Sequence, residues 1–244
     1  GVSGLVQADL TKLAALDVTA TELNLLDDKD ATHLAVPGKL EGTNFTNSLL
    51  VGHSTTGTLS SAERNTGLGI GALDAMTSSA RNTAIGYNSG GAITSGGFNV
   101  LVGDSAGLAI TTTSGSTAVG YAAMDGAFGV ADCVGVGKES NRRNRGDRNT
   151  AVGSLALKGG SSHSDNDSEN NTAVGYNAGS AMNEGHYNIL MGSNAGSNIT
   201  SGAANVIIGN VDAGSATGDR QLVIAGYDGT NTTTWISGDS SGNL

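Results

Sequence analysis

The chain has 244 residues and a formal net charge of −10, with glycine at 39 positions, proline at 1, aromatic residues at 4% and charged residues at 14%. So few bulky apolar side chains exclude a thick Leu/Phe core, and a stable fold must rely on close backbone approach, small residues and main-chain hydrogen bonds. The acidic balance excludes a nucleic-acid groove, which needs clustered Lys and Arg. The single Cys133 excludes an intrachain disulfide framework and a multi-cysteine zinc site.

Low hydrophobicity alone would fit disorder, but Val, Ile and Thr recur here in fixed register, which a disordered chain does not need. No stretch approaches the eighteen or so apolar residues of a membrane-spanning helix. The chain opens on Gly1 and closes on Leu244, and it reads as a fragment of a longer protein.

Residues 1–40 predict a helical cap and linker. Leu10, Leu13, Leu16, Leu23 and Leu26 stand at helical spacings. Asp9 is placed as an N-cap, and Thr19 with Glu22 as a capping box. Two short helices follow from this, ended by the Pro37-Gly38 turn, and they would cap the first rung of a stacked array.

Residues 41–228 predict a repetitive β-shaft. The phrase Asn-Thr-Ala-Val-Gly stands at 149–153 and again at 171–175, and aligning on its glycine gives Gly52, Gly69, Gly86, Gly103, Gly120, Gly137, Gly153, Gly175, Gly192, Gly209 and Gly226. The spacing is 17 in eight of the ten intervals; from Gly137 to Gly153 it is 16, and from Gly153 to Gly175 it is 22, which marks an insertion into a loop. A strict period of this length is the mark of a solenoid.

The residue before each glycine is aliphatic (Val51, Leu68, Ile85, Val102 and onward), and two residues earlier stands a β-branched or aliphatic one, including Thr66, Thr83, Thr117, Thr150 and Thr172. These two columns share one face of an extended strand, and that face is read as the interior. The residue between them (Leu50, Gly67, Ala84, Leu101) is small or apolar too, so the outward face needs cover, which symmetric association of copies supplies.

Four residues before the glycine stands asparagine, at Asn65, Asn82, Asn99, Asn149, Asn171, Asn188 and Asn205. Two structural roles fit: an amide ladder along the axis, or turn residues in the left-handed conformation. After the corner, a short second strand and a loop complete each repeat, and Cys133 reads as a small packed residue. Eleven rungs at strand spacing give a shaft of roughly 50 Å.

The sequences Thr-Ala-Ile-Gly at 83–86 and Thr-Ala-Val-Gly at 117–120, 150–153 and 172–175 resemble the head repeats of YadA-like trimeric autotransporter adhesins. The period is longer here, and no basic neck or membrane anchor is seen. The repeats resemble more closely those of tail-fibre proteins from T4-like and marine phages. The flanks Val18–Asp27 and Thr232–Gly242 are similar to stretches in such fibres, the latter sometimes lying upstream of a self-cleaving intramolecular chaperone. The resemblance implies a homotrimeric β-solenoid or β-roll that serves as a structural fibre in host attachment. It also implies an extracellular location on a virion tail, a cell-surface glycan or protein receptor, and contact with other tail proteins. A bacterial trimeric surface adhesin is the alternative.

The loop 138–148 holds Arg142, Arg143, Arg145 and Arg148, and the enlarged loop before Asn171 holds His163, Asp165, Asp167 and Glu169. Opposite charges on neighbouring rungs can simply pair at the surface. As loops on a rigid scaffold they are also the candidate receptor contacts. Asp165–Glu169 lacks the glycine and spacing of an EF-hand, so no metal is expected.

No enzyme activity or cofactor is expected either. Asp104, Asp125, Asp132 and Glu184 are scattered rather than paired for glycoside hydrolysis, which argues against a polysaccharide-degrading tailspike. His33, His53, His163 and His186 show no zinc-ligand spacing. An ice-binding solenoid would need an outward threonine array, and these threonines are read as inward. Residues 229–244 form a C-terminal segment leading onward.

Overall fold

The computed structural model describes residues 38–39, 44–52, 59–127, 129–160 and 166–244. Apart from Gly38 and Lys39, the expected helical cap lies outside the described residues, as do His163 and Asp165. Gly38–Leu244 forms one compact unit. Among the described residues there is no helix; the secondary structure is all β.

The unit is a β-solenoid in which each turn, the step from Asn65 to Asn82 being one, contributes one three-residue strand. A first strand, β1 (Gly38–Lys39), and a short β2 (Phe45–Thr46) precede β3 (Leu49–Val51). Then come β4 (Ala62–Glu63), β5 (Thr66–Leu68), β6 (Thr83–Ile85), β7 (Val100–Val102) and β8 (Thr117–Val119). They are followed by β9 (Val134–Val136), β10 (Thr150–Val152), β11 (Thr172–Val174), β12 (Ile189–Met191) and β13 (Val206–Ile208). The last two are longer, β14 (Leu222–Tyr227) and β15 (Thr232–Gly238).

β3 and β5 to β14 stack in sequence order as one parallel sheet; β1 closes one edge and β15 the other, both antiparallel. The C-terminal segment from 229 onward thus turns back onto the last rung. The parallel pairs are in strict register, Thr83 beside Val100, Ala84 beside Leu101 and Ile85 beside Val102. β2 and β4 form a separate two-stranded sheet confined to the first turns. The second strand expected in every repeat is otherwise replaced by a run of tight turns.

The turns are made by left-handed residues at fixed places. Counting from the corner glycine, position −5 has positive φ in turn after turn, as at Arg81 (59°), Phe98 (60°), Asp132 (55°) and Tyr187 (57°). Position +2 repeats this at Asn88, Ser105 and Asn177, and position +4 at Leu73, Met124 and Leu157. The corner glycines Gly52 to Gly209 have φ between 116° and 137°, a region in practice restricted to glycine. Each also lies against the next corner: a Cβ on Gly120 would sit 2.6 Å from the Gly137 carbonyl oxygen. Conformation and stacking both demand glycine there.

The last rung departs from the expected alignment. β13 pairs Val206, Ile207 and Ile208 with Leu222, Val223 and Ile224, so Ala225 and not Gly226 takes the corner position, one residue short of the usual step from Gly209. Gly226 lies one place further on, where the Trp235 ring leaves no space for a side chain.

The interior is thin and its sizes are matched between neighbouring turns. Where the middle strand residue is large, the +4 residues beside it are glycine: Leu101 lies against both Gly90 and Gly107, where an added Cβ would come within 2.7 Å of its methyl carbons. Where the middle residue is glycine, a large +4 residue lies beside it, as with Gly67 against Leu73 and Gly135 against Met124. Ala72, Ala106, Ala123, Ala178 and Ala195 are buried behind the corners. The apolar core comes in two stretches, Phe45 to Cys133 and Ala151 to Ala213. The turn between them is filled by the buried Ser140, Asn141 and Asn144 instead of aliphatic side chains.

Candidate interaction surface

The extended geometry of each turn reaches beyond the three strand residues. From −5 to +1 burial alternates in the turns before the last: in the third turn Arg81 is exposed, Asn82 buried, Thr83 half-buried, Ala84 buried, Ile85 exposed, Gly86 half-buried and Tyr87 exposed. A period of two is what an extended chain imposes. Four columns therefore face outward, at −5, −3, −1 and +1, and two face inward, at −4 and −2.

This reverses the expected facing. The columns Val51, Leu68, Ile85 and Leu49, Thr66, Thr83 point outward, and the column Leu50, Gly67, Ala84, Leu101 fills the core. The reason is room: stacked turns joined by tight bends enclose too little volume for two columns of large side chains, and the small middle column fits. Leu68 is 49% exposed, Ile85 39%, Ile189 43% and Met191 45%. The result is a continuous strip two columns wide, the −1 column aliphatic in every turn and the −3 column aliphatic or threonine. It runs the height of eleven parallel strands, roughly 50 Å at strand spacing.

The rims of the strip differ. The −5 rim carries Arg64, Arg81, Phe98, Asp132, Arg148 and Tyr187; Arg81 lies 4.9 Å from the centre of the Phe98 ring. The +1 rim carries Ile70, Tyr87, Asp104, Tyr121, Lys138 and Tyr176, all exposed. An apolar middle with aromatic, arginine and polar rims is the composition of a protein interface.

Behind the face, the asparagines settle into a ladder. Asn82 Oδ1 accepts from both the backbone N–H (3.0 Å) and the side-chain amide (3.0 Å) of Asn99, whose amide also donates to the Thr113 carbonyl (3.2 Å). The same pattern joins Asn171 to Asn188 and Asn188 to Asn205. The left-handed turn residues are the −5 neighbours, not the asparagines.

The ladder includes members that the asparagine count passed over. Ser48 receives the Asn65 N–H at 2.8 Å, Ser116 N–H donates to Asn99 Oδ1 at 3.0 Å, and Gln221 closes the series on Asn205. Cys133 stands in the ladder too: the Asn149 N–H reaches its Sγ at 3.4 Å, and its thiol reaches the Gly146 carbonyl at 3.5 Å. Burial pushes this thiol above its ordinary range and keeps it protonated. The repeat step that leads from Asn82 to Asn99 leads on to Ser116 and then to Cys133, and that fixed step was the signal that would have found both.

The loop charges pair largely as neighbouring rungs allow. Arg142 lies 3.2 Å from Asp125 and 3.0 Å from Glu139, and Arg148 lies 2.9 Å from Glu169 while its Nε donates to Asn170. Arg143 donates to the Gly160 carbonyl at 3.2 Å. Arg145 and Asp167 are exposed. The arginines are thus mostly engaged within the chain, and such half-exposed pairs contribute little to stability.

The scattered acids do not converge. Asp104 lies on the +1 rim of one turn, Asp132 on the −5 rim two turns later, and Asp125 is held by Arg142. Among the described residues no group of three or more His, Cys, Asp or Glu is placed to hold a metal ion. An open polar cleft of about 400 Å³ lies near the last turn, lined by Asn194, Ser197, Asn210, Val211, Asp212 and Thr232. Its carboxylate, Asp212, is already occupied by the Ser197 hydroxyl (2.9 Å) and the Asn198 N–H (3.2 Å). No family model, curated protein or solved structure matches this chain.

Proposed function

We propose that this chain is a non-catalytic segment of a homotrimeric extracellular fibre, a stiff spacer in a phage tail that contributes to host attachment. The observation that carries this reading is the aliphatic strip: it extends the whole height of the sheet, and a chain standing alone would leave it in water, at a cost of roughly 25 cal/mol per Å². Copies of the same chain supply the cover, and association of identical subunits about a symmetry axis is the common solution. The number three and the tail-fibre setting rest on the likeness of the Thr-Ala-Val-Gly repeats to those of phage fibres.

In this role the shaft presents the exposed loops around Arg145 and Asp167 along its side. Receptor contacts repeated on each copy then add through multivalency. A glycan or protein receptor of the host surface and neighbouring tail proteins are the partners proposed; no cofactor is required.

A second reading is favoured by one observation: Thr66, Thr83, Thr117, Thr150 and Thr172 face outward, as an ice-binding surface requires. Against it, the adjacent −1 column is aliphatic in every turn, with no second threonine rank beside the first. Thermal hysteresis in a dilute solution of the chain would decide for ice.

The fibre reading is tested by the absolute mass of the chain in solution at micromolar concentration, together with incubation on bacterial surface polysaccharides. Three copies of 24.1 kDa and no release of reducing ends are expected. A stable monomer overturns the fibre, and release of reducing ends overturns the non-catalytic assignment.

A further inference from the structure

From the order of side chains along the two rims, we infer that copies associate through the strand face in parallel and in register, with the −5 rim of one chain against the +1 rim of the next. The inference rests on the oligomeric reading above and specifies its geometry. The occupant of the strip is a second copy of this chain.

Two arguments carry it. The first is area. The outward face is seven extended residues wide and eleven strands high, roughly 20 Å by 50 Å, on the order of 1,000 Å². A standard pairwise interface takes about 800 Å² from each partner; in a closed ring of three the face is shared by two neighbours, so each chain buries on the order of 1,000 Å² in all, comparable to that figure per chain.

The second is charge and ring complementarity. Rotation about any axis parallel to the stack brings the −5 column of one chain to the +1 column of its neighbour at the same height. The sixth turn then sets Asp132 against the neighbour's Lys138 and the third sets Arg81 against the neighbour's Tyr87, a cation over an aromatic ring. The fifth sets Gly115 beside Tyr121 and the eighth Asn170 beside Tyr176. No like charges meet along the column. Antiparallel pairing over the full height does the opposite: each rim meets itself reversed, with Asp132 facing Asp132 and Lys138 facing Lys138 at the centre. Like-charge contacts of this kind are a standard means of excluding a wrong partner orientation.

Parallel association also aligns identical turns. The strip's aliphatic residues then meet at matching heights, with the threonine-bearing turns among themselves. Growth is limited by closure of the ring about the axis, which uses both rims of every chain.

The test places cysteines on the rims of the full chain, where Arg81 and Tyr87 are exposed and Cys133 is buried. The double variant Arg81→Cys/Tyr87→Cys is oxidised and run on a denaturing gel without reductant. Parallel, in-register association gives a covalent trimer that reverts on reduction, whereas Arg81→Cys alone gives none. The variant Arg81→Cys/Tyr187→Cys reports the antiparallel arrangement, which aligns the third turn with the ninth. Cross-linking of that pair and not the first overturns the inference. So does an absence of cross-links in both variants when the mass in solution is that of a trimer. A monomeric mass for the unmodified chain instead overturns the fibre reading itself, so the two failures are separable.

Discussion

At the residue scale, two positions per turn do most to define the coil: the corner, glycine in every turn before the last, and the ladder position, asparagine in seven turns. The glycine column was legible because its spacing is 17 in eight of the ten intervals, and because a corner with φ of 133°, as at Gly120, is in practice restricted to glycine. Ala225 shows the limit of that legibility. With glycine next to it in the chain, the alignment slides by one, and only the pairing of Leu222 and Ile224 with Val206 and Ile208 corrects it. Gly120→Ala introduces both the forbidden φ and a Cβ against the Gly137 carbonyl; it should cost more than the roughly 1–3 kcal/mol of the backbone strain alone. Chemical denaturation of the purified variant measures this.

The asparagine ladder is the second residue-scale device. Asn188→Ala removes the acceptor of the Asn205 N–H and amide and the donor to the Gly202 carbonyl, all in the interior. Each buried group so orphaned costs about 1–3 kcal/mol, and the expected loss is several kcal/mol. A denaturation midpoint unchanged from the parent would show that water replaces the ladder.

At the scale of the element, the burial of the strand was misread although its register was not. Both faces of Thr-Ala-Val or Val-Leu-Val are apolar enough to be interior, and a period of two cannot choose between them. The information lay elsewhere, in the covariation of the middle residue with the +4 residue: leucine with glycine, glycine with leucine or methionine. Only a tightly enclosed column needs that matching. The core accordingly predicts coupling between Leu101 and Gly107. Leu101→Ala should destabilise by about 2–5 kcal/mol. Gly107→Ala should cost stability because its Cβ meets a Leu101 methyl at 2.7 Å. In the double variant the space left by Leu101 accommodates that Cβ, so the losses should fall short of additive by about 0.5–3 kcal/mol. Strictly additive losses in a double-mutant cycle would contradict the size-matching account.

At the scale of the whole molecule, the stacking of about ten turns follows from the period alone, and so does the thinness of the core. What the period could not give was which side of the strand is left in solvent. The small middle column, expected on the outward face, is enclosed, and the larger aliphatic columns are the ones left in solvent. More apolar surface is therefore left in solvent than the composition suggested, and the arginine loops are less available, since Arg142 and Arg148 are held by acids of their own chain.

The central claim is that copies of the chain meet through this aliphatic strip. It is tested most directly by the solution mass of the variant Leu68→Lys/Ile85→Lys beside that of the parent chain, by native mass spectrometry with circular dichroism as the check on folding. Both side chains point outward, 49% and 39% exposed, so the coil of a single chain should tolerate the change. The account predicts three copies for the parent and a folded species of lower mass for the variant, because two lysines per chain would be buried against their own kind. A variant that keeps the parent's assembled mass would place the interface elsewhere and contradict the account.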